Sequence, residues 1–244
     1  MVAAYDKING HNCIRSMEGM TESMNDLANT SNLITIKKIG ESYLKNNQAR
    51  SSSSFDIPTN GHDIYAYVIT DPSVSSSKKG KALYTSGMHA REYAPPELGG
   101  RFIEKLVNGF GNDAEVTTLL QRTEIHVVLY VNPDGRWVAE RYKDLYWRKN
   151  LNPNGGCSSD ESYGVDLNRN FAFKHGDKSG ASDDPCDSDY FGSGPESEPE
   201  TQAVANYAKT LFPESQRKKN PGKSIVLSYE FISFDCLYKT YALT

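Results

Sequence analysis

Two hydrophobic periods alternate along this chain. Met17, Met20, Met24 and Leu27 recur at three- and four-residue intervals, so the first thirty residues predict a helix with a Met-lined edge toward a core. Leu33-Ile-Thr-Ile-Lys-Lys-Ile39 then alternates as a strand, and Gly40 is expected to end it. After a Ser-rich loop over 50–61, Asp63–Ile69 and Lys81–Ser86 are again strand-like, and the polar run Ser73–Gly80 between them suggests a hairpin. Glu97 to Phe110 repeats Leu98, Phe102 and Leu106 at helical spacing, with Pro95 and Pro96 ahead of it, where a first helical turn tolerates proline. A second helix is predicted over Asp113–Gln121. Glu124–Val131 is the strongest strand, so largely apolar that both of its faces are expected to be buried. Asn132-Pro-Asp-Gly135 ends it with turn chemistry, and a short helix follows to about Arg141. Ser197 and Glu200 have capping-box spacing before a helix to about Lys209, and Ser224–Ser228 is the last strand candidate. Strands interleaved with helices predict an α/β domain with a mixed sheet.

Composition narrows the classes. The chain has 244 residues, 37% hydrophobic and 24% charged, enough for one sizeable core. A net charge of -4 argues against a nucleic-acid partner, and the one basic run, Arg217-Lys218-Lys219, reads as a solvated loop. No apolar stretch approaches the ~20 residues that span a bilayer, so no membrane partner is expected, and a monomer is. The N-terminus lacks the basic-then-apolar layout of a secretory signal. Of the four cysteines, Cys13, Cys157, Cys186 and Cys236, the middle two lie in polar loop sequence. If oxidised, that pair would close a loop of about 30 residues and favour an oxidising compartment, which the missing signal opposes.

Candidate chemistry concentrates in three segments. Ser86-Gly-Met-His89-Ala-Arg91-Glu92 follows a strand and precedes a proline-marked helix, the place where α/β proteins put ligand loops. A His and a Glu three apart there can converge on one metal ion, and imidazole nitrogen with carboxylate oxygen suits Zn²⁺. The second segment is Leu145-Tyr-Trp-Arg148-Lys-Asn150, and the third is Tyr163-Gly-Val-Asp166-Leu-Asn168-Arg169-Asn170-Phe171. Arginine forks recognise carboxylates and stabilise developing oxyanions, so one metal beside several arginines suits a substrate with a carboxylate next to the scissile bond.

The ordered set Gly-Met-His-Ala-Arg-Glu, Asn-Pro-Asp-Gly, Trp-Arg-Lys-Asn, Gly-Val-Asp-Leu-Asn-Arg-Asn-Phe and Ser-Glu-Pro-Glu-Thr resembles the zinc metallocarboxypeptidases of the carboxypeptidase A/B type, from about Tyr5 to about Ser228. The resemblance implies helices on both faces of the sheet, and hydrolytic removal of the C-terminal residue from peptides or proteins, with His89 and Glu92 as zinc ligands. It implies that Asp166 accepts a hydrogen bond from His89, that Arg148 stabilises the oxyanion, that Asn168 and Arg169 hold the terminal carboxylate and that Arg91 helps place the substrate. It also makes Cys157 and Cys186 a disulfide pair and favours secretion.

Residues 229–244 depart from that pattern. The third ligand, a His of an Asp-x-His-Ser-Tyr segment, is expected where Asp235-Cys-Leu237-Tyr238 stands, with Leu237 in the histidine's place. His11, His62, His126 and His175 match no ligand position, His126 reading as a packed or edge residue. Asp235 or Cys236 is the alternative third donor. The substrate-capping tyrosine, the specificity residue and the glutamate that activates water are expected beyond Thr244, so the domain reads as C-terminally partial. The expectation is therefore an inactive chain. The alternatives are a non-catalytic binder of C-terminal carboxylates and a silent fragment.

Overall fold

The computed structural model describes residues 5–47, 56–58, 60–143, 146–153, 157, 162–177 and 179–213, together with the backbone of 224–228. Its elements run α1 Met17–Thr30, β1 Ile34–Glu41, α2 Tyr43–Asn47, β2 Asp63–Ile69, β3 Gly80–Thr85, α3 Ala94–Gly109, α4 Ala114–Arg122, β4 Thr123–Val128, α5 Pro133–Arg141, α6 Pro199–Leu211 and β5 Ser224–Ser228. The helix starts have local causes. Ser16 Oγ accepts from Gly19 N to cap α1, Asp113 caps α4, Asn132 caps α5, and prolines open α3, α5 and α6.

The five strands form one mixed sheet in the order β1-β2-β4-β3-β5. The expected β2–β3 hairpin does not form. β4 lies between them, antiparallel to β2 (Tyr67 opposite Val127) and parallel to β3 (Leu83 opposite His126). A strand that is apolar on both faces is best buried at the centre of a sheet. Its parallel pairing with β3 needs a long crossover, which α3 and α4 supply. β1 also runs on past Gly40 to Glu41, with a register shift between Lys38 and Gly40. A Cβ on Gly40 would stand 2.3 Å from the Ala203 Cβ, so the glycine lets α6 lie against the strand rather than ending it.

Alternate residues of the strands serve two cores, and helices cover both faces of the sheet. Tyr67, Ile69, Ile125 and Val127 pack with Met20, Met24, Ile103, Leu106 and Leu120 of α1, α3 and α4. Ile64, Ala66, Leu83 and Val128 pack on the other face with Val204, Tyr207 and Leu211 of α6. Each large side chain so buried contributes about 1.5–3 kcal/mol. The methionine edge of α1 is fully inside, as its spacing predicts.

The capping-box expectation at α6 is corrected. Glu198 is the N-cap and makes no side-chain cap bond. Glu200 turns inward instead, where Oε1 accepts from Tyr43 N at 2.7 Å and Oε2 from Asn150 Nδ2 at 3.2 Å. With Pro199 opening the helix, Glu200 lies on its buried face and never reaches back to the entrance.

Candidate active site

The site is built where β3 leaves the sheet. Gly87 has φ +65°, and a Cβ there would lie 2.8 Å from the Leu129 carbonyl oxygen, so only glycine makes this sharp exit. Glu92 N donates to His89 O at 3.2 Å, a turn that puts both side chains on one side. His89 Nδ1 and Glu92 Oε1 stand 2.8 Å apart, and the two residues are only 4% and 7% exposed. On the other edge of the imidazole, Nε2 is 3.0 Å from Asp166 Oδ1. Asp166 Oδ2 accepts from Arg148 Nε at 3.2 Å and Nη2 at 2.7 Å. The same carboxylate takes the Asn168 N–H at 2.9 Å and caps the short turn Leu167–Arg169. Burial pushes the Asp166 carboxyl up, but hydrogen bonds and charge from His89 and Arg148 outweigh it and hold the group below the usual carboxylate range. Glu92, His89, Asp166 and Arg148 thus form one continuous buried chain.

This donor set fits a divalent cation. With Asp166 accepting the Nε2 proton, the Nδ1 lone pair faces a carboxylate oxygen, and only a proton or a cation satisfies both. Ligand bonds of ~2.0–2.2 Å from the two atoms reach a single ion, and a carboxylate behind the imidazole is the usual support of a zinc-bound His. Among the described residues no group of three His, Cys, Asp or Glu converges on one point. Asp235, Cys236 and Leu237 lie outside the described residues. The other histidines are engaged elsewhere. His11 packs edge-on against Tyr93, His62 pairs with Asp134, and His175 Nε2 meets the Phe191 carbonyl. His126 is buried between Tyr207 Oη and Glu124, its pKa pushed down to about 4 by burial against the opposing pull of Glu124.

The arginines surround this chain. Arg91 Nη1 donates to the Tyr146 carbonyl at 3.2 Å. Tyr146 itself has φ +46°, a left-handed conformation that costs a non-glycine residue about 1–3 kcal/mol and is found at functional sites. Partial desolvation and the charge of Arg148 lower the Arg91 pKa, so two guanidinium groups share one region. Asn168 and Arg169 stand on the turn that Asp166 caps, and Arg169 Nε donates to Gly180 O. With Phe171, Phe173 and Lys174 they line a cavity of about 270 Å³. The structure therefore joins His89, Glu92, Asp166 and Arg148 directly. It links Asn168 to them through its backbone, sets Arg91 near Arg148, and turns Arg169 toward the Gly180 carbonyl in a cavity that none of the four lines.

Cys157 and Cys186 are disulfide-bonded, with Cα atoms 4.9 Å apart. Lys149 Nζ donates to the carbonyls of Pro185 and Asp187, both at 2.9 Å, and so fastens the Cys186 loop to the residue after Arg148. Replacing both cysteines by serine is expected to lower unfolding stability by roughly 3–4 kcal/mol in the chain-entropy account of a loop this long. Urea titration of the two forms checks this, and equal midpoints would contradict it.

Other residues of the site carry no local signal. Asn150 Nδ2 donates to Glu198 Oε2 at 2.8 Å and to Glu200 Oε2, while its Oδ1 accepts from Val165 N at 2.9 Å. This amide ties the Arg148 segment to the Asp166 segment over a pair of buried carboxylates. Arg136 is also buried. It is bonded to Glu140, lies 4.4 Å over the Tyr93 ring, and its Nη1 is 3.4 Å from Glu92 O. The Trp-Arg-Lys-Asn and Ser-Glu-Pro-Glu motifs contained Asn150, Glu198 and Glu200, but nothing in either string shows that they meet.

A mixed α/β sheet with an imidazole–carboxylate pair at the end of an inner strand and arginines nearby defines an α/β domain whose pair is compatible with a cation. Comparison with known proteins makes it specific: the zinc carboxypeptidase family (Peptidase_M14) matches residues 20–238, and the chain belongs to that family. Mast cell carboxypeptidase A of Rattus norvegicus is 39% identical over 133 residues, 53% of this chain and 31% of that protein. Carboxypeptidase B2 of Homo sapiens is 36% identical over 145 residues, 59% of this chain and 33% of that protein. The matched stretches thus take in about a third of those relatives' length. A crystal structure of thrombin activatable fibrinolysis inhibitor superimposes with a TM-score of 0.67 at 26% identity, covering 88% of this chain and 46% of that one.

Proposed function

We propose that this chain supplies the zinc-binding His–Glu pair and the carboxylate-recognising residues of a metallocarboxypeptidase, which removes the C-terminal residue of a peptide or protein by hydrolysis. The observation that supports it most is the 2.8 Å approach of His89 Nδ1 to Glu92 Oε1, with Asp166 behind Nε2. Bound zinc supplies Lewis-acid polarisation of the scissile carbonyl and acidifies a water molecule. The chain's own residues do the rest of the recognition. Arg148 spends Nε and Nη2 on Asp166, and Nη1, which has no hydrogen bond among the described residues, is the donor for the oxyanion. Asn168 and Arg169 take the substrate's terminal carboxylate, and Arg91 adds charge at the rim. The disulfide supports an oxidising compartment.

Leu237 carries no donor atom, so His89 and Glu92 would hold zinc as a pair, and these 244 residues bind C-terminal carboxylates better than they hydrolyse peptides. Zinc competition against a chromophoric chelator, with release of the last residue from a blocked dipeptide, tests both statements. His89→Ala is expected to weaken zinc at least tenfold, and the unaltered chain to show little release. Equal zinc affinity in the two forms would remove the site. Clear turnover abolished by His89→Ala would instead point to Asp235 as a third donor.

A further inference from the structure

Asn132 is fully buried, and both ends of its side chain are in use. Its Oδ1 accepts from Gly135 N at 3.0 Å and caps α5. Its Nδ2 donates to Met88 O at 3.1 Å and to Lys149 O at 3.0 Å, with Arg148 O at 3.5 Å. Met88 precedes His89 and Lys149 follows Arg148, so one amide nitrogen spans the loop that presents the imidazole and the loop that presents the guanidinium. Its backbone N–H adds a bond to Gly87 O at 2.9 Å. A Cβ on Gly135 would come within 2.5 Å of the same Nδ2, so the glycine leaves this amide its place.

We infer that Asn132 is a positioning residue for the site: its Nδ2 sets the distance between the His89 arm and the Arg148 arm, in addition to capping α5. The inference rests on the proposed zinc site but does not depend on it for its own test. An amide is the side chain that does both tasks, because it carries an acceptor for the helix N-terminus and two N–H donors for two carbonyls. Each arm reaches Asp166 from a different side, so a slip of either separates His89 Nε2 and the Arg148 guanidinium from the carboxylate they share.

Two variants split capping from tying. Asn132→Ser and Asn132→Asp keep an oxygen acceptor at the N-cap, where both residue types are favoured, and lose the two N–H donors; Asp keeps none, and Ser keeps one O–H on a side chain too short to span both carbonyls. In the full chain, Asn132→Ser is expected to retain the circular dichroism of the unaltered protein and to bind zinc 10–100-fold more weakly, the usual effect of removing a residue that orients a ligand. Without metal, the Arg148 Nε–H is expected to exchange with solvent at least tenfold faster, since its bond to Asp166 is no longer held. A folded Asn132→Ser or Asn132→Asp with zinc affinity within twofold and unchanged Arg148 Nε–H exchange would overturn the inference. If neither variant folds, side-chain exchange in the unaltered chain decides: slow exchange of both Asn132 amide protons supports the tie, and fast exchange of either refutes it. If the unaltered chain takes up no zinc at His89, the proposed function fails, while the Arg148 and Asn132 exchange rates still judge the tie.

Discussion

Asp166→Ala is expected to lower unfolding stability by about 3–5 kcal/mol and zinc affinity 10–100-fold. The carboxylate is completely buried and accepts from His89, from two nitrogens of Arg148 and from the Asn168 backbone. Its removal leaves a largely buried guanidinium without its counter-charge, which costs more than the intact pair contributes. It also frees the imidazole to rotate and uncaps the turn that carries Asn168 and Arg169. Asp166→Asn is expected to be milder, because its amide oxygen still accepts while the charge is lost. Urea unfolding and zinc competition on the two variants check the order, and a loss below 1 kcal/mol for Asp166→Ala would show that the buried chain from Glu92 to Arg148 is not formed.

The second large effect is a stability that falls as pH rises toward 8. Glu200 is fully buried, and burial, with Glu198 and then Asp134 nearby, raises its pKa to about 8 against the opposing hydrogen bond from Tyr43. A group whose folded pKa exceeds its unfolded value holds a proton in the fold that the unfolded chain has released. Between the ordinary carboxylate range and about 8 the folded state is therefore the more protonated, and stability declines by about 1.4 kcal/mol per pH unit, or roughly 5 kcal/mol across the window. His126 acts in the opposite sense, but only below the ordinary histidine range. Lys149, its pKa lowered by burial to about 8, adds stability only above that value. Glu140, its carboxyl also raised by burial, adds to the decline at its acid end, so the Glu200 share is read from the difference between the unaltered protein and a Glu200 variant. Glu200→Gln is expected to flatten it, whatever constant offset the substitution brings. Chemical unfolding at several pH values reads the slope, and equal slopes for the two proteins would show that Glu200 is ionised throughout.

Glu200 was only half legible in advance. The string Ser197-Glu-Pro-Glu is locally that of a helix entrance, and the helix is there, but the role of Glu200 depends on Tyr43 and Asn150, which reach it from far along the chain. Strand pairing shows the same division. The alternation in Asp63–Ile69 and Lys81–Ser86 was enough to predict two strands. Their separation by β4 follows from the burial of both faces of that strand, which no window around Ser73–Gly80 contains.

Sequence alone singled out the residues proposed to carry the chemistry and the kind of element each stands on. Hydrophobic period, capping residues and prolines act within a turn or two of themselves, so α1, α3, α4, β2, β4 and the exit loop holding His89 and Glu92 were legible as strings. A His and a Glu three residues apart at a strand end have few ways to lie except together. The resemblance already implied the bond between Asp166 and His89, but only the tertiary structure decided that the same carboxylate binds Arg148, and that the Asn132 and Asn150 amides hold the segments in register. The physical reason is the same in each case. A buried polar group must find a partner wherever the packed sheet and helices bring one within about 3 Å, and that meeting is set by the whole fold rather than by neighbours in the chain.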